Sequence, residues 1–228
     1  MTLTIERSAA PRTERVILVE ADDRAIGSSE KLAAHHAGLL HRACSVFVFN
    51  HAGELLMQRR APGKYHSAGL WSNSCCGHPR PREGTVRAAR RRLREEMGID
   101  CPLEHATAIV YRASLGDGLF EYEYDHIFVG RSDATPAPDP AEADAYAWRD
   151  LATLLPEMRD HRERFTTWFG VALSALVESG SVDAVVAERQ RAAIRQTATE
   201  IVSPYVTLIT VIGGAGPVVH QGGLEAHA

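Results

Sequence analysis

The stretch Gly77-His78-Pro79-Arg80-Pro81-Arg82-Glu83-Gly84-Thr85-Val86-Arg87-Ala88-Ala89-Arg90-Arg91-Arg92-Leu93-Arg94-Glu95-Glu96-Met97-Gly98-Ile99 carries the most information in the chain. Val86, Ala89/Arg90, Leu93 and Met97 recur at three- and four-residue steps, which predicts a helix over Thr85–Met97 with an Arg/Glu-rich remainder. Gly98 stops it, and Gly77-His78-Pro79 stops what comes before. Glu83 lies six residues after Gly77, and Arg91 eight after Glu83. Arg92 and Glu96 stand at i,i+4, an ordinary ion pair of an exposed helix if nothing more is asked of them.

Outward from this helix the chain reads mostly as strands. Cys44–Asn50 (CSVFVFN) and Glu54–Arg60 (ELLMQRR) flank His51-Ala52-Gly53 and predict a hairpin. Leu70–Cys76 is expected to be extended, and Arg15–Val19 to be a short strand ended by Ala21-Asp22-Asp23. Downstream, strands are expected around Ala106–Ala113, Leu119–Gly130 and Ala145–Arg149, with Ser132–Asp144 as a Pro/Ala/Asp loop. Helices are expected over Arg162–Glu178, which carries Trp168, and Val182–Ile201. Residues 1–14 are polar and expected to be disordered. This order predicts an α+β fold, an α/β/α sandwich, over residues 15–180, with 181–228 as a C-terminal extension of helix plus apolar tail.

At 228 residues the chain can bury a sizeable core, and 45% apolar with 24% charged residues is ordinary for a globular protein. A net charge of −4 disfavours a scaffold that binds polyanions at large. Of 25 basic residues only Lys31 and Lys64 are lysines. Seven arginines between Arg80 and Arg94 raise nucleic-acid binding, but Glu83, Glu95 and Glu96 interleave with them and Trp71 is the only nearby aromatic. No nucleic-acid partner and no membrane span are expected. Cys44, Cys75, Cys76 and Cys101 form no C-x-x-C and no evident disulfide framework, so a reducing, cytoplasmic setting is expected.

The opening stretch resembles the Nudix box, G-x5-E-x7-R-E-U-x-E-E-x-G-U with U aliphatic, and departs from it at one fixed position, where Arg92 replaces a metal-binding glutamate. Box carboxylates hold divalent metal against a diphosphate, because hard cations prefer oxygen ligands. The swap weakens a site that gathers several ions and strengthens one that grips a diphosphate with a guanidinium. Just upstream, Trp71-Ser72-Asn73-Ser74-Cys75-Cys76-Gly77-His78-Pro79 resembles the W-[TS]-N-[ST]-x-C-[SG]-H-P signature of type I isopentenyl-diphosphate isomerases, Nudix-fold enzymes with arginine at this place in the box. The resemblance covers roughly residues 15–178. It implies a mixed sheet flanked by helices.

The resemblance further implies metal ligands at His35, His41, His78, Glu121 and Glu123, a mixed N/O set suited to Mn2+ or Zn2+. A second ion, Mg2+, would bridge Glu96, the Cys76 backbone oxygen and the diphosphate. Glu121 and Glu123 share one face if their segment is a strand; a solvated acidic edge is the plain alternative. Asp125 continues that face. His35 and His41, six apart, can meet only if their segment bends. The other histidines, His66 among them, are expected at the surface or in packing. Of adjacent Cys75 and Cys76 only one can face a cavity; the resemblance picks Cys76 as acid/base, with Glu123 opposite it and Tyr111 as orienting or relaying group. Trp168 would face a cation, or simply fill the core of its helix. Lys31, Arg60, Lys64 and Arg92 would grip the diphosphate.

The reaction so implied moves the double bond of isopentenyl diphosphate to give dimethylallyl diphosphate, supplying isoprenoid synthesis. It needs two acid/base groups on a short alkene and neither flavin nor nicotinamide. A Nudix pyrophosphohydrolase acting on a nucleoside diphosphate derivative would want the full set of box carboxylates. A Nudix-like binding module would not need Cys76, Glu123 and the histidines together. A monomer or a homodimer fits either.

Overall fold

The chain opens on a hairpin of β1 (Arg15–Val19) and β2 (Ala25–Glu30), followed by α1 (Lys31–Ala37) and β3 (His41–Phe49). β4 (Leu55–Arg60), β5 (Trp71–Ser72) and β6 (Cys75–Gly77) lead into α2 (Thr85–Met97), which has the bounds its periodicity predicts. β7 (Leu103–Gly116) and β8 (Leu119–Arg131) form a long antiparallel hairpin, and β9 (Ala143–Arg149) follows the Pro/Ala/Asp loop. α3 (Leu151–Asp160), α4 (Thr167–Glu178), α5 (Glu188–Ala198) and β10 (Val206–Ile212) complete the described elements. This is a computed structural model describing residues 14–186, 188–198, 200–202 and 206–212. Apart from Glu14, the disorder expected over 1–14 lies outside the described residues, as does the apolar tail beyond Ile212.

One mixed sheet runs β10-β7-β8-β3-β1-β2, and only the β3–β8 pairing is parallel, in register from His41↔Glu123 to Phe49↔Arg131. β3 is buried on both faces, so its side chains divide between two cores. Phe47 and Phe49 join Ile109, Tyr111 and Ile127 beneath α3, α4 and α5. Cys44, Val46 and Val48 meet Ala88, Ala89, Leu93 and Met97 of α2 on the other side. Helices on both faces of a mixed sheet make the expected α/β/α sandwich.

Four local expectations are corrected. The hairpin predicted across His51-Ala52-Gly53 opens after a single pair, Phe49↔Leu55: β3 takes β8 and β6 as neighbours, while β4 turns to β9 and β5. The extended run Leu70–Cys76 breaks at Asn73-Ser74, whose side chains bond backbone at Val46, Leu56 and Cys75. The helix expected from Arg162 starts at Thr167, because Phe165 bridges Trp71 in an extended conformation. The helix expected over Val182–Ile201 is a 3-10 turn at Ser181–Ala184 followed by α5. α1, β2 and α3 had no counterpart in the expectations. α3 holds Pro156 within it, yet its Asp150 cap and the buried Leu151, Leu154, Leu155 and Met158 secure it. Among the described residues no helix is long and apolar enough to cross a membrane.

Candidate active site

Period-two alternation carries the polar residues of β3 and β8 to the same face as Phe47, Phe49 and Ile127, at the end of the sheet where that apolar core stops. His41 and Ser45 project there from β3, and Glu121, Glu123 and Asp125 from β8; all five are buried. Tyr111 joins from β7, paired with Glu123. α1 ends at Gly38, whose left-handed φ of 58° reverses the chain and brings the His35 and His41 rings to 4.9 Å. That is the bend the six-residue spacing required. β6 pairs Ser45↔Cys76 and Val46↔Cys75, so Cys76 faces the pocket and Cys75 the α2 core.

One open pocket of about 600 Å³, its solvent-filled mouth included, is lined by His35, Cys76, His78, Tyr111, Glu121, Glu123, Trp168, Glu96 and all four basic residues Lys31, Arg60, Lys64 and Arg92. Three of those lining residues, His35, His78 and Glu123, together with His41 place one ligand-type atom each within 4.8 Å of one another. Glu121 stands outside that set of four; its Oε2 accepts from Tyr111 Oη at 2.9 Å, and the same hydroxyl lies 2.8 Å from Glu123 Oε2. Both His35 ring nitrogens and His78 Nδ1 are buried without a protein partner. His41 Nδ1 lies 2.8 Å from the Leu39 carbonyl, so in the neutral ring it donates there and leaves a lone pair on Nε2. A ring held by a backbone carbonyl while its other nitrogen turns toward other ligand-type atoms, here His78 Nε2 at 3.2 Å and Glu123 Oε1 at 3.5 Å, is the arrangement of a metal-binding imidazole.

Electrostatics divide the acid/base groups. Burial, then the Asp125 charge, pushes the Cys76 thiol well above its usual range, so it keeps its proton at neutral pH. Burial alone would also raise Glu123, but the His41 and His78 rings, 3.5 and 3.0 Å from its Oε1, outweigh it and hold this carboxyl well below the usual range. Burial and the Glu123 charge raise Glu121. Desolvation lowers His35 to about 4, which keeps the ring neutral and free to bind metal. The pocket therefore presents a protonated thiol and an ionised carboxylate.

Three of the four basic side chains are tied down by carboxylates. Lys31 Nζ is 3.0 Å from Glu14, Lys64 Nζ 2.6 Å from Glu142, and Arg92 reaches Glu96 at 2.6 Å and Glu142 at 3.0 Å. Arg60 lies 5.1 Å over the Trp168 ring. Gly77 is needed for this packing: a Cβ there would sit 2.7 Å from Arg92 Cγ.

A sequence model of the NUDIX domain matches residues 39–169. An isopentenyl-diphosphate Delta-isomerase of Burkholderia multivorans is 60% identical over 156 residues, 68% of this chain and 89% of that protein. The isopentenyl-diphosphate Delta-isomerase 2 of Aromatoleum aromaticum is 48% identical over 178 residues, 78% of this chain and 94% of that one. The chain belongs to the isopentenyl-diphosphate Delta-isomerase family. Among solved structures, Deinococcus radiodurans DR0079 superposes with a TM-score of 0.58 at 21% identity, covering 76% of this chain and all of that one, a likeness of fold.

Some residues of this isomerase-family pocket were not marked by the sequence. Glu14, Tyr65 and Glu142 line it, and so does His66, which was expected at the surface or in packing. Burial and the Arg60 charge lower His66 to about 3, and its ring sits 5.6 Å from that of Trp168. His66 follows Tyr65 in the loop after Lys64, so that loop's Pro and Gly content was the one available signal.

Proposed function

We propose that the pocket interconverts isopentenyl and dimethylallyl diphosphate by adding and removing a proton. The Cys76 S–H bond breaks as a C–H bond forms at the terminal alkene carbon, leaving a tertiary carbocation at C3. The C2–H bond then breaks, its electron pair closes the new double bond, and Glu123 takes the proton. Tyr111, hydrogen-bonded to Glu121 and Glu123, orients the accepting carboxylate. The Trp168 ring stabilises the cation, an interaction of about 2 kcal/mol when desolvated. Lys31, Arg60, Lys64 and Arg92 anchor the diphosphate, which holds the alkene between the two proton-transfer groups and away from water. The single observation that carries this reading is that Cys76, Glu123, Tyr111 and Trp168 line one pocket together with Lys31, Arg60, Lys64 and Arg92.

The orphaned nitrogens of His35 and His78, and the compact set with His41 and Glu123, fit a divalent ion with mixed N/O ligands. His35, His41, His78 and Glu123 would hold Mn2+ or Zn2+, with Glu121 as the fifth ligand, and the ion's charge would let the buried Glu121 and Glu123 both stay ionised. Glu96 and the Cys76 carbonyl would hold Mg2+ against the diphosphate. The four cysteines are free, which supports a reducing, cytoplasmic setting.

A pyrophosphohydrolase reading meets Arg92 where a metal-binding glutamate is wanted, ion-paired with Glu96 and Glu142. The test is to incubate the protein with isopentenyl diphosphate and a divalent ion and assay for acid-labile allylic diphosphate. Isomer is expected. Phosphate or pyrophosphate without isomer would mark a hydrolase, and no turnover a binding module.

A further inference from the structure

Cys76 and Trp168, which both line the pocket, are joined by a chain of buried hydrogen bonds. Trp168 Nε1–H donates to Ser72 Oγ at 3.0 Å. The Ser72 hydroxyl lies 3.0 Å from Asn73 Oδ1, and the Cys76 thiol lies 3.1 Å from the same oxygen. Ser72, Asn73 and Thr166 are all buried.

Counting protons fixes the direction of the chain. Asn73 Nδ2 gives its two hydrogens to the Val46 carbonyl at 3.1 Å and the Cys75 carbonyl at 2.9 Å. Its amide cannot flip without losing both, so Oδ1 is the end turned toward the thiol. That oxygen has two lone pairs, one for the Ser72 hydroxyl and one for the Cys76 thiol. Ser72 Oγ in turn accepts from Trp168 and, at 3.0 Å, from the Thr166 hydroxyl. Each hydrogen of Asn73, Ser72 and Trp168 in the chain has an acceptor, and the thiol lies besides 3.4 Å from the Ser45 hydroxyl, whose own hydrogen goes to Asp125; a buried polar network satisfied in this way rigidifies its surroundings.

We propose that Ser72 and Asn73 are positioning residues that set the Cys76 thiol and the Trp168 indole in fixed register with one another. The chemistry needs that register. Protonation at the terminal carbon creates positive charge on the carbon beside it, so acid and ring must address neighbouring atoms of one small substrate at the same moment. The Trp168 ring already lies under a cation, the Arg60 guanidinium. Its one polar handle, the indole N–H, fixes the ring's rotation. Neither Ser72 nor Asn73 is among the residues lining the pocket, so both act through the groups they hold.

This inference rests on the isomerase reading above, and its test separates the two. First, without substrate, the indole N–H resonances of the three tryptophans are recorded by 15N NMR. Ser72→Ala should shift the Trp168 signal, assigned from its loss in Trp168→Phe, while Ser72→Thr should leave it near its original place. Second, kcat and KM for isopentenyl diphosphate are measured for Ser72→Ala, Trp168→Phe, the double variant and Asn73→Ala. Ser72→Ala and Trp168→Phe should each lower kcat about tenfold, and the double variant should be no worse than the poorer single, because both cut the same link. Asn73→Ala should lower kcat about 10²-fold with KM unchanged, since the diphosphate is held elsewhere. Ser72→Thr should restore kcat. Multiplicative losses in the double variant, or an unmoved Trp168 signal in Ser72→Ala, would overturn the link even if Asn73→Ala failed to fold. Absence of isomer from the unaltered protein would instead sink the isomerase reading and leave the NMR result standing.

Discussion

Cys75 and Cys76 show how much one residue of register decides. The pairing Ser45↔Cys76 turns one thiol into the pocket, and Val46↔Cys75 turns its neighbour into the α2 core. Cys76→Ala and Glu123→Gln are therefore expected to lower isomerisation about 10³-fold or more with unchanged circular dichroism, while Cys75→Ala keeps turnover. Titration at two other residues sets acid stability. His66 stays neutral in the fold down to about 3, where an unfolded chain takes up a proton near 6.5. The unfolded state thus binds more protons across that window, and stability falls as pH drops from about 6.5. Glu142 is lowered to about 2: burial would raise it, but the Lys64 hydrogen bond and the Arg92 charge prevail. Its contribution is present above about 4.5 and is lost as pH falls toward 2. Through these two groups, denaturant midpoints measured from pH 7 to 3 should decline, against the opposite pull of the raised Glu121 carboxyl. His66→Gln should flatten the upper part of the curve and Glu142→Gln the lower. Glu142 was not legible beforehand because Lys64 and Glu142 are 78 positions apart, and no local spacing reports such a pair. Cys76 and Arg92 were legible because signature and box are contiguous, so their spacing is kept by the chain itself, and Glu123 because it shares a strand face with Glu121.

Among the elements, α2 was readable to the residue, since its apolar stripe, Gly98 stop and charged remainder all point one way. The β3–β4 connection was not. Alternating apolar residues around a glycine turn describe a hairpin, yet whether two strands stay paired depends on what else competes for their edges. Here β9 offers β4 six pairs and β8 offers β3 nine, so the arms part. The turn itself is held from outside. Gly53 has a φ of +81°, and a Cβ there would lie 2.5 Å from the Val185 carbonyl. Gly53→Ala is expected to cost about 1–3 kcal/mol, read from the shift in denaturant midpoint. Gly53→Asn is the informative companion, because asparagine tolerates positive φ but still carries the Cβ. If the carbonyl contact governs the site, Asn should be nearly as damaging as Ala; if backbone conformation alone governs it, Asn should recover most of the loss.

At the scale of the whole molecule that contact belongs to a larger pattern, in which the segment after residue 180 is built into the domain the family shares. Val182, Val186, Ile194, Ile201 and Val206 lie in the same apolar cluster as Tyr111, Trp168 and Phe169. β10 continues the sheet beside β7, with Ile209 opposite Tyr111. Helix α4 carries Gly170 where a Cβ would meet the Ile201 carbonyl at 2.5 Å. Strand β7 and helix α4, which present Tyr111 and Trp168 to the pocket, are thus braced from behind by residues beyond 169, where the NUDIX match ends. Each branched side chain in that brace is worth about 1.5–3 kcal/mol when fully buried, against a typical domain stability of about 5–15 kcal/mol. We propose that residues 15–180 and the extension unfold as one cooperative unit. Tryptophan fluorescence and far-ultraviolet circular dichroism should then follow a single coincident urea transition for the full chain. A chain ending at Gly180 should show a lower midpoint, a smaller slope and a kcat reduced more than its affinity for isopentenyl diphosphate, because Lys31, Lys64 and Arg92 lie on elements the brace does not touch. Two separate transitions, or a shortened chain as stable and active as the full one, would make the extension an appendage whose burial against α3 and α4 contributes nothing to the site.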